Sequence, residues 1–244
     1  LGQLAKLSAV TVTDGAARLE PLALHAIAAK LEDEGVQVPV IPPPAEMTPS
    51  DVVMLLAFAT EEDFAADLAV WAVARTPEKA ARELVALAGG GDAGVRAGAI
   101  QAASRLGDAA EPVLREALDR PELRCYVKMM LIERLAERDP EQPVPDELKR
   151  TTEDLAWFLT DGFVPLTRTI SQNAMFPLDI SGLAAAGWDV AGADALFDAM
   201  ARLDHPDVEA VLTMIGRHCD DKKTAKAARK SAHKAISSAA SRRH

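Results

Sequence analysis

The sequence predicts an all-α fold built from stacked helix pairs. Aromatic residues make up only 4% of the chain, whereas alanine is frequent. This composition suits close helix packing and disfavours a sheet, which is usually rich in aromatic and β-branched residues. Between Pro77 and Ala136 the chain twice shows a helix, a tight turn and a second helix that opens with an apolar residue and arginine. The two pairs, Val95-Arg96 and Leu123-Arg124, lie 28 residues apart, near the lower end of helical-repeat periods.

The stretch from Asp92 to Gly107 resembles a known repeat. It reads Asp-x-x-Val-Arg-x-x-Ala-x-x-Ala and closes with Leu-Gly, and a helix containing Ala-Ala-Glu-Pro-x-Leu follows. This pattern resembles the short HEAT-like repeat of the phycobiliprotein lyases, well over 77–136 and less clearly over 204–234. The resemblance implies an α-solenoid, in which neighbouring helix pairs bury faces that one pair cannot bury alone. The pattern also suggests that the arginine at each turn binds carbonyl groups at a helix end.

The repeat segment is predicted to share one apolar core, because its apolar residues recur at helical spacing. The predicted core residues are Val95, Ala99, Leu106, Val113, Leu114, Leu118, Leu123, Val127, Leu131 and Leu135.

Three threonines mark predicted helix starts before the repeat segment. Thr48, Thr60 and Thr76 each stand directly before a proline or a run of acidic residues. A threonine hydroxyl can cap the first turn, proline suits the first helical position, and acidic residues favour the positive helix end. The sequence therefore predicts three short helices within 49–87. Their predicted core residues are Leu55, Phe58, Leu68 and Trp71.

Turn and breaker residues divide the chain into four segments. Residues 1–46 are predicted to hold a small β-hairpin around Asp14-Gly15, a helix that starts at Pro21, and a Pro-rich connector. Residues 47–137 hold the HEAT-like repeats, and 138–150 form a Pro-rich loop. Residues 151–244 form a C-terminal helical region that ends in a basic helix. Within it, prolines and glycines predict short helices and turns over 161–190.

The N-terminal segment carries a second, weaker resemblance. The hairpin and the following Leu-x-Pro-Leu in Val10–Leu31 resemble the wing and the next helix of a winged-helix domain. The recognition helix of such a domain would lie before Leu1, and we therefore assign no DNA-binding residues to this segment. Because the chain begins with Leu1 and not with methionine, two interpretations stay open, a cropped sequence or the tail of a longer chain with an upstream domain.

Composition narrows the classes of function. A net charge of −10 and an isoelectric point near 5.0 disfavour a large nucleic-acid footprint, which needs many Lys and Arg contacts to phosphates. Two cysteines, Cys125 and Cys219, are too few for a disulfide framework and favour a reducing compartment. The sequence shows no apolar run of membrane-spanning length and no signal-peptide pattern. We therefore predict a cytoplasmic protein that is not inserted in a membrane.

No residue pattern predicts a catalytic site or a cofactor. Serine-nucleophile, phosphate-loop and dinucleotide motifs are absent from the sequence, and the three glycines at 89–91 are predicted to form a helix-connecting turn. The acidic residues Glu61, Glu62 and Asp63 could be read as paired catalytic carboxylates, but acids at a helix start usually serve the helix dipole. We predict neither a catalytic residue nor a cofactor.

One cluster in the sequence contains several types of metal-ligating residue. His205 and the run His218-Cys219-Asp220-Asp221 supply imidazole, thiolate and carboxylate groups, all of which bind zinc. Their spacing matches no zinc signature, and Asp220 or Asp221 is predicted to cap the next helix. We therefore predict no metal site.

The C-terminal segment is predicted to form a basic amphipathic helix. Residues 217–244 contain nine Lys or Arg and two Asp, a net charge of +7 that leaves −17 on the rest of the chain. Helical spacing places Ala225, Ala228, Ala232 and Ile236 on the packing face. The opposite face offers a surface for an anionic partner, formed by Lys222, Lys226, Arg229, Lys230 and His233. A solvated helix that caps the array, or docks on the acidic body, is the alternative interpretation.

These observations leave three functional hypotheses. The repeat pattern without reactive groups favours a non-enzymatic scaffold that mediates protein–protein interaction. The wing-like start and the basic end favour the effector part of a nucleic-acid-linked regulator with an upstream DNA-binding domain. The repeat resemblance also implies enzymes, namely bilin lyases and alkylpurine DNA glycosylases, but the acidic composition opposes the basic groove that such a glycosylase needs.

Overall fold

The chain consists of α-helices apart from one short β-ribbon in its described part. The structure is a computed structural model that describes residues 10–13, 16–36, 42–171, 174–178 and 192–242. The predicted all-α class is confirmed. The chain divides into two compact units, Leu1–Pro42 and Pro43–His244. The division falls within the Pro-rich connector.

The first unit contains the β-ribbon and one helix. Strands β1 (Val10–Thr13) and β2 (Ala16–Leu19) pair antiparallel, with Val10 opposite Leu19. The predicted turn residues between them, 14 and 15, lie outside the described residues. Helix α1 (Pro21–Asp33) follows, and Gly35 ends it with a positive φ of 80°, a conformation that favours glycine.

The second unit consists mainly of helices. Its helices in the described residues are α2 (Pro49–Phe58), α3 (Glu61–Val73), α4 (Pro77–Gly90), α5 (Ala93–Ser104), α6 (Glu111–Glu116), α7 (Pro121–Arg138), α8 (Thr152–Thr169), α9 (Ala193–Arg202), α10 (Val208–His218) and α11 (Lys222–Arg242). Short 3₁₀ turns lie in the connections from α5 to α8. Helix α5 contacts α2, α4 and α7, and α6 contacts α4 and α7. Helix α8 packs on α7, α9 and α10, and α11 packs on α9 and α10.

Side-chain caps fix the starts of several helices where the sequence predicts them. The hydroxyls of Thr48, Thr60 and Thr76 each accept a hydrogen bond from the backbone N–H three residues later, and the three predicted short helices are α2, α3 and α4. Thr151 caps α8 in the same way. Each cap satisfies a donor that the first helical turn leaves without a partner.

Most of the predicted core residues are buried. Ala99, Val113, Leu114, Leu123, Val127 and Leu131 are almost inaccessible to solvent, whereas Val95, Leu106, Leu118 and Leu135 are half-buried.

Of the four core residues predicted for the three short helices within 49–87, one is not buried. Leu55, Leu68 and Trp71 are buried, but Phe58 is 74% exposed. Phe58 is the last residue of α2, and its side chain is left in solvent at that helix end. Helical periodicity alone does not show where neighbouring helices stop covering a face.

The stretch that begins at Asp161 also differs from the prediction of short helices and turns. Helix α8 continues through Gly162 and Pro165 to Thr169. Proline inside a helix removes one backbone hydrogen bond, but α8 is held by its contacts with α7, α9 and α10. Most of the remaining stretch, 179–190, lies outside the described residues.

Candidate functional site

A buried cluster of polar side chains is centred on Asp161 of α8. The Asp161 side chain is 2% exposed, and Arg96 Nη1 lies 2.6 Å from both of its carboxylate oxygens. The Tyr126 hydroxyl donates to Oδ2 at 2.9 Å, and His205 Nε2 lies 2.8 Å from Oδ1. Asp161 therefore binds one residue of α5, one of α7 and one of the turn between α9 and α10.

The hydrogen bonds define the protonation of His205. Its Nδ1 accepts the backbone N–H of Asp207 at 3.1 Å, so the ring proton lies on Nε2 and is donated to Asp161. The edge of the imidazole also packs against Trp157, with ring centroids 4.8 Å apart. Both ring nitrogens are thus engaged within the protein, and neither is free to accept a proton from a substrate.

The ionised state of Asp161 depends on its partners. Burial by itself would raise the pKa of this carboxyl, but the hydrogen bonds from His205 and Arg96 outweigh it and hold the pKa below its usual range. The same burial, with the Asp161 charge close by, raises the pKa of Tyr126. Asp161 is therefore a carboxylate at neutral pH, and Tyr126 is a neutral phenol that donates to it.

A second buried ion pair lies two turns earlier on α8. Lys128 Nζ lies 2.7 Å from Asp154 Oδ2 and also donates to the Lys149 carbonyl at 2.7 Å. Burial and the charges of Asp154 and Asp161 raise the pKa of Cys125 to about 12, so this thiol stays protonated and unreactive. Both buried carboxylates are saturated by internal partners, and we assign them a structural role.

Sequence analysis missed this cluster and assigned Arg96 a different role. Arg96 was expected to bind carbonyls at a helix end, but it pairs with Asp161, whereas Arg124 does bind the Leu118 carbonyl at 2.9 Å. One feature of the sequence could have indicated buried acids. Asp154 and Asp161 are seven residues apart, so they share a face of α8 with apolar residues. The identity of their partners depends on long-range packing.

The metal and carboxylate candidates from the sequence are dispersed. His205 binds Asp161, His218 Nδ1 donates to the Ala174 carbonyl at 2.8 Å, and Asp221 caps α11 by accepting the Thr224 N–H at 2.7 Å. Glu61 pairs with Arg105 at 2.7 Å. Within the described residues, three or more His, Cys, Asp or Glu side chains nowhere gather around a point that could hold a metal ion.

Two adjoining grooves lie along the edge formed by α3, α5 and α7, which we call the groove edge. The polar groove, of about 630 Å³, lies between α5 and α7 and includes Gln101, Glu133, Arg134 and Glu137 in its lining. The apolar groove, of about 650 Å³, is lined mainly by α3 and the turn after α5. Its apolar lining residues are Ala65, Leu68, Ala69, Ala72, Val73, Pro77 and Leu106. Arg105 and Gly107 line both grooves.

The groove edge exposes one large apolar side chain and unpaired acids. Val73, at the end of α3, is 87% exposed. In the polar groove, Arg134 Nη2 pairs with Asp108 at 2.8 Å and its Nη1 donates to the Ser104 carbonyl at 2.5 Å. Glu133 and Glu137 are exposed, and neither forms an ion pair with the described residues. The edge thus combines an apolar surface with free negative charge.

The C-terminal helix exposes the predicted basic surface. Lys222, Lys226, Arg229, Lys230 and His233 are all exposed on α11, which we call the basic face. Three residues of the predicted packing face are buried, namely Ala225, Ala228 and Ala232. The fourth, Ile236, is 43% exposed, and the prediction for it is wrong because helical periodicity does not show how far along α11 the covering helices reach.

The described helices were compared with membrane-spanning helices, and the chain was compared with known proteins. In the part of the chain that the structure describes, no helix is both long and apolar enough to cross a membrane. The chain matches no protein-family model, and comparisons with curated proteins and with solved structures give no match either.

Proposed function

We propose that this chain is a non-enzymatic cytoplasmic scaffold of HEAT-like helical repeats that binds a protein partner along the groove edge. The observation that carries the proposal is the adjoining pair of grooves, one lined by the exposed Val73 and the other by the acidic residues Glu133 and Glu137. Apolar patches rimmed by polar residues are typical of protein-interaction surfaces. Grooves of this volume are within the range that holds a peptide side chain or a short segment.

The chemistry of the groove edge defines the partner. The apolar groove suits a large aliphatic or aromatic side chain, whose burial is worth roughly 1.5–3 kcal/mol. The free carboxylates of Glu133 and Glu137 suit Lys or Arg side chains next to that anchor, because complementary charges speed association and select partners. We therefore expect a partner segment that combines one apolar anchor with basic residues.

The non-enzymatic part of the proposal is supported by the cluster around Asp161. An enzyme needs a base, acid or nucleophile within reach of a substrate. In this cluster both oxygens of Asp161 and both ring nitrogens of His205 are engaged by other groups of the protein. These buried polar groups therefore hold helices together.

Selection from a random peptide display library tests the proposal, because it samples many candidate partner segments at once. Enriched peptides should combine an aliphatic or aromatic residue with Lys or Arg. Val73→Asp should weaken their binding about tenfold or more, and the double substitution Glu133→Lys with Glu137→Lys should also weaken it. Phe58→Asp is the matched control, because Phe58 is also highly exposed but does not line either groove.

The measurements are affinity by fluorescence anisotropy and the melting temperature of each variant. Equal binding by Val73→Asp and Phe58→Asp proteins would contradict a partner site at the groove edge. No enrichment of any peptide would contradict the scaffold proposal for this edge.

A second candidate is the effector part of a nucleic-acid-linked regulator. The ribbon of β1 and β2 followed directly by α1 favours it, because this order resembles the wing and following helix of a winged-helix domain. The test is the sequence of the full gene product. A helix-turn-helix pattern upstream of Leu1 would support this candidate, and its absence would remove it.

A further inference from the structure

The basic face of α11 carries three lysines that form no ion pair within the described part of the chain. The ammonium groups of Lys222, Lys226 and Lys230 form no ion pair with the described residues, whereas Lys234, nearby on the helix, pairs with Asp198 at 2.7 Å. Docking on the acidic body is thus seen as an ion pair for Lys234, while Lys230 acts on Asp198 only through its charge. Three unpaired lysines on one side of a helix leave a local positive field in solvent.

The opposite side of α11 is occupied by packing. Ala225, Ala228, Ala232 and Ala235 are buried, and α11 contacts α9 and α10. Gly216 of α10 allows this close approach, because a Cβ there would lie 2.6 Å from the Cγ of Arg229. The Arg229 guanidinium in turn donates to the Gly216 carbonyl. The basic face is thus held on a fixed helix.

This packing disfavours a membrane surface as the partner. A basic helix that binds a lipid surface inserts its own apolar face into the headgroup region. In α11 that face is small, made of alanine, and already buried. Ile236 is exposed at 43%, but a single side chain gives little insertion. Nucleic acid is a large anionic partner with regularly spaced charge that needs no apolar face on the helix.

The residues of the basic face indicate how a nucleic acid would be bound. The face runs from Lys222 to His233, about 16 Å along the axis at 1.5 Å per residue, with lysines one turn apart. Helix α11 contains no Phe, Tyr or Trp for stacking on bases and no Asn or Gln for reading base edges. Its Lys and Arg side chains suit phosphates, which are contacted without regard to sequence.

We propose that the basic face of α11 binds the phosphate backbone of double-stranded nucleic acid without sequence preference. The rest of the chain, with a net charge of −17 against +7 for residues 217–244, repels the same polyanion. Contact is therefore confined to α11. The binding is independent of the groove edge, which involves other helices.

Fluorescence anisotropy of the full chain with a labelled 20-base-pair duplex of mixed sequence, from about 20 to 200 mM KCl, tests the proposal. The variant carries Lys222→Gln, Lys226→Gln and Lys230→Gln, which leave the buried side of α11 and Arg229 intact. The control for net charge carries Lys30→Gln, Lys79→Gln and Lys149→Gln, three exposed lysines outside α11, of which Lys30 and Lys149 pair with Glu34 and Asp146. Far-UV circular dichroism checks that all three proteins are folded.

The wild type should bind at low salt, with an affinity that falls by a log–log slope of about −0.9 per phosphate contact. The α11 variant should bind about tenfold or more weakly, with a slope smaller in magnitude by about 2.7, the share of three contacts. The control should bind as the wild type does. A second duplex of unrelated sequence should bind equally well.

Three results would overturn the proposal. The first is no binding of duplex DNA or RNA by the wild type at about 20 mM KCl. The second is equal loss of binding in the variant and its control, which would show that only net charge matters. The third is binding of phosphatidylserine vesicles with no binding of duplex, which would assign the basic face to a lipid surface.

Discussion

Replacing Asp161 with asparagine should strongly destabilise the second unit. The substitution keeps the size of the side chain and removes its charge. Arg96, whose side chain is 14% exposed and whose Nη1 lies 2.6 Å from both oxygens of Asp161, would then be left as a buried cation without a counter-charge. The amide nitrogen of asparagine would also face at least one donor, because Arg96, Tyr126 and His205 all direct donors at the carboxylate.

The expected loss in the free energy of unfolding can be estimated from other buried ion pairs. Removing one partner typically costs about 3–5 kcal/mol, because the remaining charge stays desolvated. An exposed carboxylate without such partners changes stability by only about 0.5 kcal/mol in either direction when it is neutralised. Asp119→Asn is a suitable control, since Asp119 is exposed at the end of a 3₁₀ turn.

Urea denaturation followed by far-UV circular dichroism measures the free energy of unfolding of each protein. The pKa of Asp161 is lowered in the folded state, so its ionised form contributes stability above the unfolded-state pKa of about 3.8. That contribution is lost as the pH falls through the lower folded-state pKa. The difference between wild type and Asp161→Asn should therefore be full at neutral pH and shrink below about pH 3.8. A difference below about 1 kcal/mol at neutral pH, or one that does not change with pH, would refute this reasoning.

Three further predictions concern single residues. Leu131→Ala should lower the free energy of unfolding by about 2–5 kcal/mol, because Leu131 is 3% exposed and its loss leaves a cavity; an unchanged melting temperature would contradict this. Thr151→Ala should cost about 0.5–2 kcal/mol in urea denaturation through loss of the α8 cap, whereas Thr169→Ala at the other end of α8 should cost less. Cys125 should not react with a thiol reagent in the native state, since it is buried and its pKa is raised to about 12; rapid labelling without denaturant would argue against this burial.

Local signals in the sequence account for the parts of the fold that were predicted. The caps at Thr48, Thr60 and Thr76 depend on residues within one turn of each helix start, so the sequence alone contains the necessary information. The burial of Leu123 and Leu131 follows similarly from helical periodicity. The exposure of Phe58 could not be predicted, because it depends on where other helices pack.

The buried polar contacts around Asp161 could not be predicted from a sequence pattern. Arg96 looks like any arginine at the start of a helix, and its partner Asp161 lies 65 residues later in the chain. In the sequence, His205 is considered only as a candidate metal ligand, and no metal site is predicted there. Its role became clear only from the hydrogen bonds with Asp161 and with the Asp207 backbone. The groove edge is equally a product of tertiary packing, because its residues come from three helices and a turn.

Asp161 also connects the two surfaces to which we assign binding. Helix α8 contacts α7, which lines the polar groove, and it contacts α9 and α10, on which α11 packs. The partners of Asp161 come from both sides of this junction, since Arg96 and Tyr126 belong to α5 and α7 and His205 belongs to the turn between α9 and α10. Hydrogen bonds to a carboxylate are directional, so they specify the relative placement of these helices more narrowly than alanine and leucine packing does. The Asp161 carboxylate therefore adds directional contacts to the helix packing that lies between the two proposed binding surfaces.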